Sequence, residues 1–384
     1  MAKWLATKSH ILSDTRPVLG GLLAFSALLN FAIYYTDVRA FLGHNDFRLY
    51  YAGAEVGLRY GWSHVYDVSL HQAAVAALRP TGPWYALLTP APITWVVAPL
   101  TVLGYPTAYW VWVALSVATL GAVLWYVRPR QHSAALYFVW WAALGPLWFS
   151  AYEGQVTILA TAGLLAGWRL LEARRDFLAG VVLAAALFKP YLVLLLPLAL
   201  FVAGRIRALL GFMTVAAAAG IGMLMTLHFA GVQTYLAMLL APQAAGDTAK
   251  TLRSALGGSP TVLAIQAAVI LAVIAVAVYT RRIKVAWPLV VSAVLGSFLL
   301  ATYWHPQDYL AIDGAAAIML AAGPPRMAVL MATAVAIFSA LATPLTAHQN
   351  AVAWIVMAFV FLGLLGVRTL MRRGPDWPVV AVKA

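Results

Sequence analysis

The side chains able to do chemistry in this chain are few and gathered into short polar stretches. In FLGHNDFRLYYAGAEVGLRYGWSHVYD, residues 41–67, His44, Asp46, Arg48, Glu55, Arg59, His64 and Asp67 follow directly on an apolar segment. TYWHPQDYLAID, residues 302–313, brings Tyr303, His305, Asp308 and Asp313, and SAYEGQVTI, residues 150–158, brings Glu153 and Gln155. LFKPYL sets Lys189 among aliphatic neighbours. Carboxylates and imidazoles beside isolated cations suit removal of a hydroxyl proton while a basic residue neutralises a phosphate. They do not suit ATP chemistry: there is no phosphate-binding G-x-x-x-x-G-K-[ST] loop, no H-E-x-x-H helix and no nucleophile elbow. With no cysteine, and no convincing ligand spacing among His44, His64 and His71, neither a metal site nor another cofactor is expected.

Each group also has a plainer reading. Asn45 or Asp46 can cap the helix that follows, and His305 with Asp308 can be a solvated pair in a loop. Lys189 is harder to explain that way, because a lysine between such apolar runs needs an anionic partner. Asp313, entering an apolar span, should face a cavity or a partner for the same reason.

The elements that must carry these residues are membrane helices. The 384 residues are 64% hydrophobic and 10% charged, with mean hydropathy +0.86. Apolar stretches of about 20 residues recur, as a hydrocarbon core about 30 Å thick demands. An all-α polytopic membrane protein follows, with about 12 crossings in one domain, residues 1–384. The first apolar run is expected to be a retained helix, not a cleaved signal. Seven basic clusters hold 18 of the 25 Lys and Arg residues, and one hairpin's worth of apolar sequence separates each from the next. Read with the positive-inside rule, the clusters and both termini are cytoplasmic. The net charge of +13 then reflects topology, and no nucleic-acid partner is expected. Residues 37–88 form the first outer loop and 229–259 the second. Phe47, Tyr50, Tyr51, Ala54 and Leu58 recur at helical spacing, opposite Arg48, Glu55 and Arg59, which suggests a juxtamembrane helix lying in the membrane interface. Residues 89–127 are too long for one crossing, so TPAPITWVVAPLTVL should be re-entrant or broken. A second break is expected at Lys189-Pro190, where proline removes a backbone donor.

HNDFRLYYAGAEVGLRYGWSHVYD resembles the first-loop signature of glycosyltransferase family 87, an Asp-Phe pair before a Tyr- and Ala-containing helix that ends in Gly and Tyr-Asp. PWYALLTPAPITWVVAPLTVLGYPTAYWVW is similar to the family's Pro-rich short helices. The Gly-Gln helix, basic turn and Lys-Pro break of residues 153–200 and the His-x-x-Asp-Tyr loop at YWHPQDYLAID follow in the family's order, over roughly residues 18–320. Thr157 stands where the family often has Asn, and Thr89-Pro90-Ala91-Pro92 replaces its Tyr-Pro-Pro. The resemblance implies a GT-C-like bundle. It also implies transfer of a sugar, often mannose, from a polyprenyl-phosphate carrier to a glycolipid, glycan or protein hydroxyl on the outer face of a bacterial inner membrane. By that analogy Asp46 is the general base, and Lys189, Arg48 and His305 meet the donor phosphate. Glu153, Gln155, Asp308, Tyr303 and His44 are sugar or acceptor contacts. Two other classes compete. A multi-pass transporter or lipid-carrier flippase would line a path across the membrane with ionisable groups. A ligase-like enzyme using a diphosphate carrier would place several arginines in a large outer loop, whereas residues 229–259 contain only Arg253.

Overall fold

The computed structural model describes residues 21, 23–36, 45–78, 84–129, 133–240, 251–252, 256, 260–303 and 305–322. Every regular element among them is helical. In hydrocarbon the backbone has no water to bond, and an α-helix satisfies its own donors and acceptors.

Helix α1 (Leu23–Thr36) is apolar and is followed by α2 (Phe47–Tyr60) and α3 (Val68–Leu78). The Pro-rich stretch breaks as expected: α4 (Pro92–Val97) runs into a 3-10 turn, Ala98–Leu103. The chain then turns at Gly104 and enters α5 (Tyr105–Val127) with Pro106 in its first turn, where a missing N–H costs nothing. Next come α6 (Ala134–Ala142) and α7 (Gly145–Tyr152), bent by 59°. Ser26 Oγ and Asn30 Nδ2 of α1 donate to the Ala143 carbonyl in that bend, each at 3.1 Å.

Helix α8 (Thr157–Glu172) leads through a basic turn into α9 (Asp176–Leu183). The Lys-Pro break is where it was expected. A 3-10 turn, Ala184–Phe188, ends at Lys189 (φ −134°, ψ 76°), and a second one, Pro190–Val193, leads to α10 (Leu196–Val202). Helix α11 (Ile206–Leu240) is interrupted at His228, so the expected second outer loop, 229–259, begins as helix; residues 241–250 lie outside the described set. Helices α12 (Pro260–Ile283), α13 (Trp287–Leu300) and α14 (Tyr309–Ala322) are the last helices of the described residues.

Among the described residues, α5, α11 and α12 are long and apolar enough to cross a membrane, and the bent pair α6–α7 makes a fourth candidate. The 12 crossings expected from the sequence include spans in residues 323–384, which lie outside the described set; within that set the segments of residues 176–203 and 287–300 contain only shorter apolar helices. Helix α8 packs among α5, α9, α13 and α14. Helices α9 and α11 touch backbone to backbone: a Cβ on Gly180 would stand 1.8 Å from the Ala208 carbonyl oxygen. Small residues permit such approach where apolar side chains gain nothing by leaving lipid.

One expectation is corrected here. Helix α2 does not lie with a single face in the interface. Its first eight residues are buried on every side, Arg48 included at 0% exposed, while Leu58 of the supposed apolar face is 56% exposed. Alternation read from sequence cannot tell lipid from protein as the cover, and here α3, α4 and the Ala98–Leu103 turn pack against the helix.

Candidate active site

Two loops meet at the start of α2. Asp46 occupies the N-cap position, yet its side chain makes no capping bond. Its carboxylate instead accepts a hydrogen bond from Gln155 Nε2. Its backbone N–H donates to Glu153 Oε2 at 3.0 Å, and Phe47 N–H donates to the Glu153 carbonyl at 3.0 Å. Tyr50 O–H donates to Gln155 Oε1 at 3.1 Å. The Glu153–Gln155 turn is thus bonded to the first turn of α2 through both side chains and backbone.

Gly154 makes that approach possible. It lies at φ +62°, and a Cβ there would fall 2.6 Å from Phe47 Cβ. Gly154→Ala is expected to destabilise the protein by at least the 1–2 kcal/mol, roughly, of a left-handed L-residue. Thermal unfolding measures this; an unchanged Tm would show that the turn relaxes without cost.

Helix α5 braces both loops through one face. Tyr105 O–H donates to Asn45 Oδ1 (2.8 Å), Tyr109 O–H to the Tyr152 carbonyl (2.9 Å) and Trp112 Nε1–H to the Gly154 carbonyl (2.7 Å). Sequence reasoning missed these three. Their signal is the i, i+4, i+7 spacing of aromatics that each carry a donor.

The second cluster surrounds Asp308. Lys189 Nζ lies 2.6 Å from Asp308 Oδ1, with side chains 6% and 0% exposed. Thr157 O–H donates to Oδ1 at 3.3 Å, Tyr191 O–H to Oδ2 at 2.8 Å, and the His305 backbone N–H to Oδ2 at 2.8 Å. The Tyr303 ring lies between Tyr191 and His305, at 4.9 and 6.0 Å between centroids. Ser150 O–H donates to the Gln307 carbonyl at 3.1 Å, tying this loop to α7. Tyr191 is a further residue that sequence reasoning passed over, although it stands two places after Lys189; Thr157, noted in the sequence only as a departure from the family's usual Asn, joins it here.

The two clusters share one electrostatic environment. Burial raises the Asp46 carboxyl above its ordinary 3.8, while His305, Lys189, the Gln155 hydrogen bond and Arg48 pull the other way. Glu153 is raised well above its usual range, first by burial and then by Asp46. Burial would raise Asp308 too, but Lys189 and His305 outweigh it and hold that carboxyl below its ordinary range. The site therefore holds a firmly ionised carboxylate, Asp308, and a pair that binds protons more readily, Asp46 and Glu153. Environments that push carboxyls apart in this way are how a fold assigns acid and base roles.

The remaining polar residues of the opening stretch have other tasks. Asp67 Oδ1 accepts from Ser69 O–H at 2.7 Å and Leu70 N–H at 3.0 Å, capping α3. Glu55 and Arg59 form an exposed i, i+4 pair at 3.0 Å. His71 receives the Trp84 indole N–H on Nδ1 at 3.1 Å and faces the Leu49 carbonyl through Nε2 at 3.0 Å, a structural role that occupies both ring nitrogens. Asp313 is buried in α14, and its Oδ2 has no hydrogen-bond partner among the described residues. His44 lies outside the described residues.

Of the nine site residues expected from sequence, Asp46, Arg48, Glu153, Gln155, Lys189, Tyr303, His305 and Asp308 meet in this one region. Comparison with curated proteins and with solved structures finds no match. The model of glycosyltransferase family 87 matches residues 88–344, a stretch that contains Glu153, Gln155, Lys189, Tyr303, His305 and Asp308 and begins after Asp46 and Arg48.

Proposed function

The chain belongs to glycosyltransferase family 87, and from that premise we propose that it moves a hexose, mannose in the favoured reading, from a polyprenyl-phosphate carrier to a hydroxyl acceptor. The reaction is placed at the outer face of a bacterial inner membrane, in a GT-C-like bundle of about 12 helices with both termini cytoplasmic. The acceptor is a glycolipid, glycan or protein hydroxyl.

The observation that supports this reading most directly is the state of Asp46. A residue at an N-cap is ordinarily spent on the helix, but here the carboxylate is turned to Gln155 and sits partly buried beside His305, Lys189 and Arg48. Asp46 takes the acceptor's hydroxyl proton as that oxygen bonds to the anomeric carbon. The bond from the anomeric carbon to the carrier phosphate breaks, and its electron pair leaves on the phosphate oxygen. Lys189, Arg48 and His305 offset the charge that develops there. An ammonium has three donors, so Lys189 can serve Asp308 and still point N–H groups at a phosphate. The sugar and acceptor contacts are Glu153, Gln155, Asp308, Tyr303 and His44. No resident metal is part of the proposal, because a single phosphate faces three basic side chains.

The decisive experiment supplies purified protein with synthetic polyprenyl-phosphate-mannose. Sugar transfer from it, and none from a nucleotide sugar, is the expected result; transfer from the nucleotide sugar alone would overturn the donor assignment. The pH profile follows from the raised Asp46 carboxyl. A base must be ionised, so kcat/KM should fall as the pH drops through a value above 3.8. Gln155→Leu removes a hydrogen bond that favours the ionised form, so its acid limb should move to higher pH. A limb that stays in place would separate Asp46 from the rate.

A further inference from the structure

At the end of the bundle opposite the candidate site, three helix C-termini converge on a cavity of about 360 Å³ lined by Arg174, Asp176, Gly204, Arg205, Arg281 and Lys284. Its position follows from chain geometry. Helix α8 starts at Thr157, bonded to Asp308, and ends at the Arg174 turn, a rise of about 24 Å for its 16 residues. The segment from Asp176 climbs to Lys189 and returns to Gly204, and α13 rises from beside Lys284 to Tyr303. Three of the basic clusters seen in the sequence therefore meet on one face.

The ends that form the cavity are closed by left-handed residues: Arg174 (φ 60°), Gly204 (φ 71°) and Lys284 (φ 58°). Arg175 N–H bonds the Leu170 carbonyl (3.0 Å) and Arg205 N–H the Leu200 carbonyl (2.9 Å), the six-to-one bonds of Schellman caps. Arg174 Nη2 donates to the Lys284 carbonyl at 3.0 Å, joining two of these ends. The acids nearby are committed. Asp176 pairs with the buried Arg205 at 3.0 Å. Glu172 accepts the Ala286 and Trp287 N–H groups at 2.8 and 3.1 Å at the start of α13. Arg281 and Lys284 are exposed and form no ion pair among the described residues. A helix C-terminus carries about half a negative charge, so part of this positive charge serves the helix ends, and a net positive charge remains.

Apolar side chains flank the cavity. Phe177 and Leu178 follow Asp176, Ile206 and Leu210 follow Arg205, and all four are exposed. A cationic hollow at helix ends, bordered by apolar side chains, matches a phosphate headgroup with acyl chains beside it. A soluble anion would have no use for that border.

We propose that this cavity binds the phosphate headgroup of an acidic phospholipid in the leaflet opposite the candidate active site. The proposal is independent of the sugar-transfer reading. The test titrates full-length protein in detergent with phosphatidylglycerol, measured by native mass spectrometry, and in a second arm with inorganic phosphate at constant ionic strength. The double variant Arg281→Gln/Lys284→Gln should bind phosphatidylglycerol about thirtyfold more weakly, from two cations near a membrane surface. Arg282→Gln, exposed and outside the cavity, should bind as the wild type does. Should the double variant fold poorly, Lys284→Gln alone should weaken binding about fivefold. Saturable binding of inorganic phosphate without phosphatidylglycerol would overturn the lipid as occupant. Equal lipid binding by wild type and double variant, or an equal loss in Arg282→Gln, would overturn the site.

Discussion

Asp46→Asn is expected to lower sugar transfer from a polyprenyl-phosphate donor by about 10²–10⁴-fold, the contribution of a positioned general base. The substitution keeps the shape of the side chain and an acceptor for Gln155 Nε2, and the Asp46 and Phe47 backbone bonds to Glu153 do not depend on the carboxylate. Fold and insertion should therefore survive, with a melting temperature near that of the wild type. It also removes a charge that, after burial, raises the Glu153 carboxyl. Near wild-type transfer by a well-folded Asp46→Asn variant would end the general-base assignment. A loss of activity that tracks a loss of folded protein would show instead that Asp46 matters to structure.

Lys189→Ala should be the most damaging single substitution to stability. The ion pair with Asp308 is almost wholly buried at 2.6 Å, and removing one partner of such a pair costs about 3–5 kcal/mol, because the other charge is left uncompensated. Tyr191, Thr157 and the His305 N–H would still bond Asp308, which places the cost toward the lower end. The double variant Lys189→Ala/Asp308→Ala leaves no orphaned charge and should be the more stable of the two, as thermal unfolding would report. Donor kinetics separate structure from function. Because Asp308 is itself a proposed sugar contact, the reference is Asp308→Ala, which keeps the lysine: if Lys189 meets the donor phosphate, the double variant has a higher donor KM than Asp308→Ala. An equal donor KM in the two would confine Lys189 to holding the loops together.

Much of this arrangement was legible in one dimension, for reasons that can be named. Lys189 in an apolar run announces a buried anion, since an unpaired ammonium there is prohibitively expensive, and Pro190 announces the helix break. The partner was not legible. Asp308 lies 119 positions away, and no local pattern distinguishes it from Asp313, which is buried without a partner for its Oδ2 among the described residues. Asp46 shows the same limit from the other side. Its place before a helix fits a cap as well as it fits a catalyst, and the partner its carboxylate takes instead of a cap, Gln155, lies 109 positions along the chain.

Composition and periodicity are sums over neighbours in sequence, so they determined what neighbours decide: helices as the elements of the described residues, apolar segments suited to a membrane, a break within residues 89–103 and another at Lys189. They misjudged the cover of α2, because a buried helix and an interfacial one share a 3.6-residue period and differ only in what lies against them. Which carboxylate is saturated and which is held ready depends on donors brought together from distant segments, in surroundings where water cannot substitute for a missing partner. That distribution of hydrogen bonds between Asp308 and Asp46 is a property of the folded chain alone.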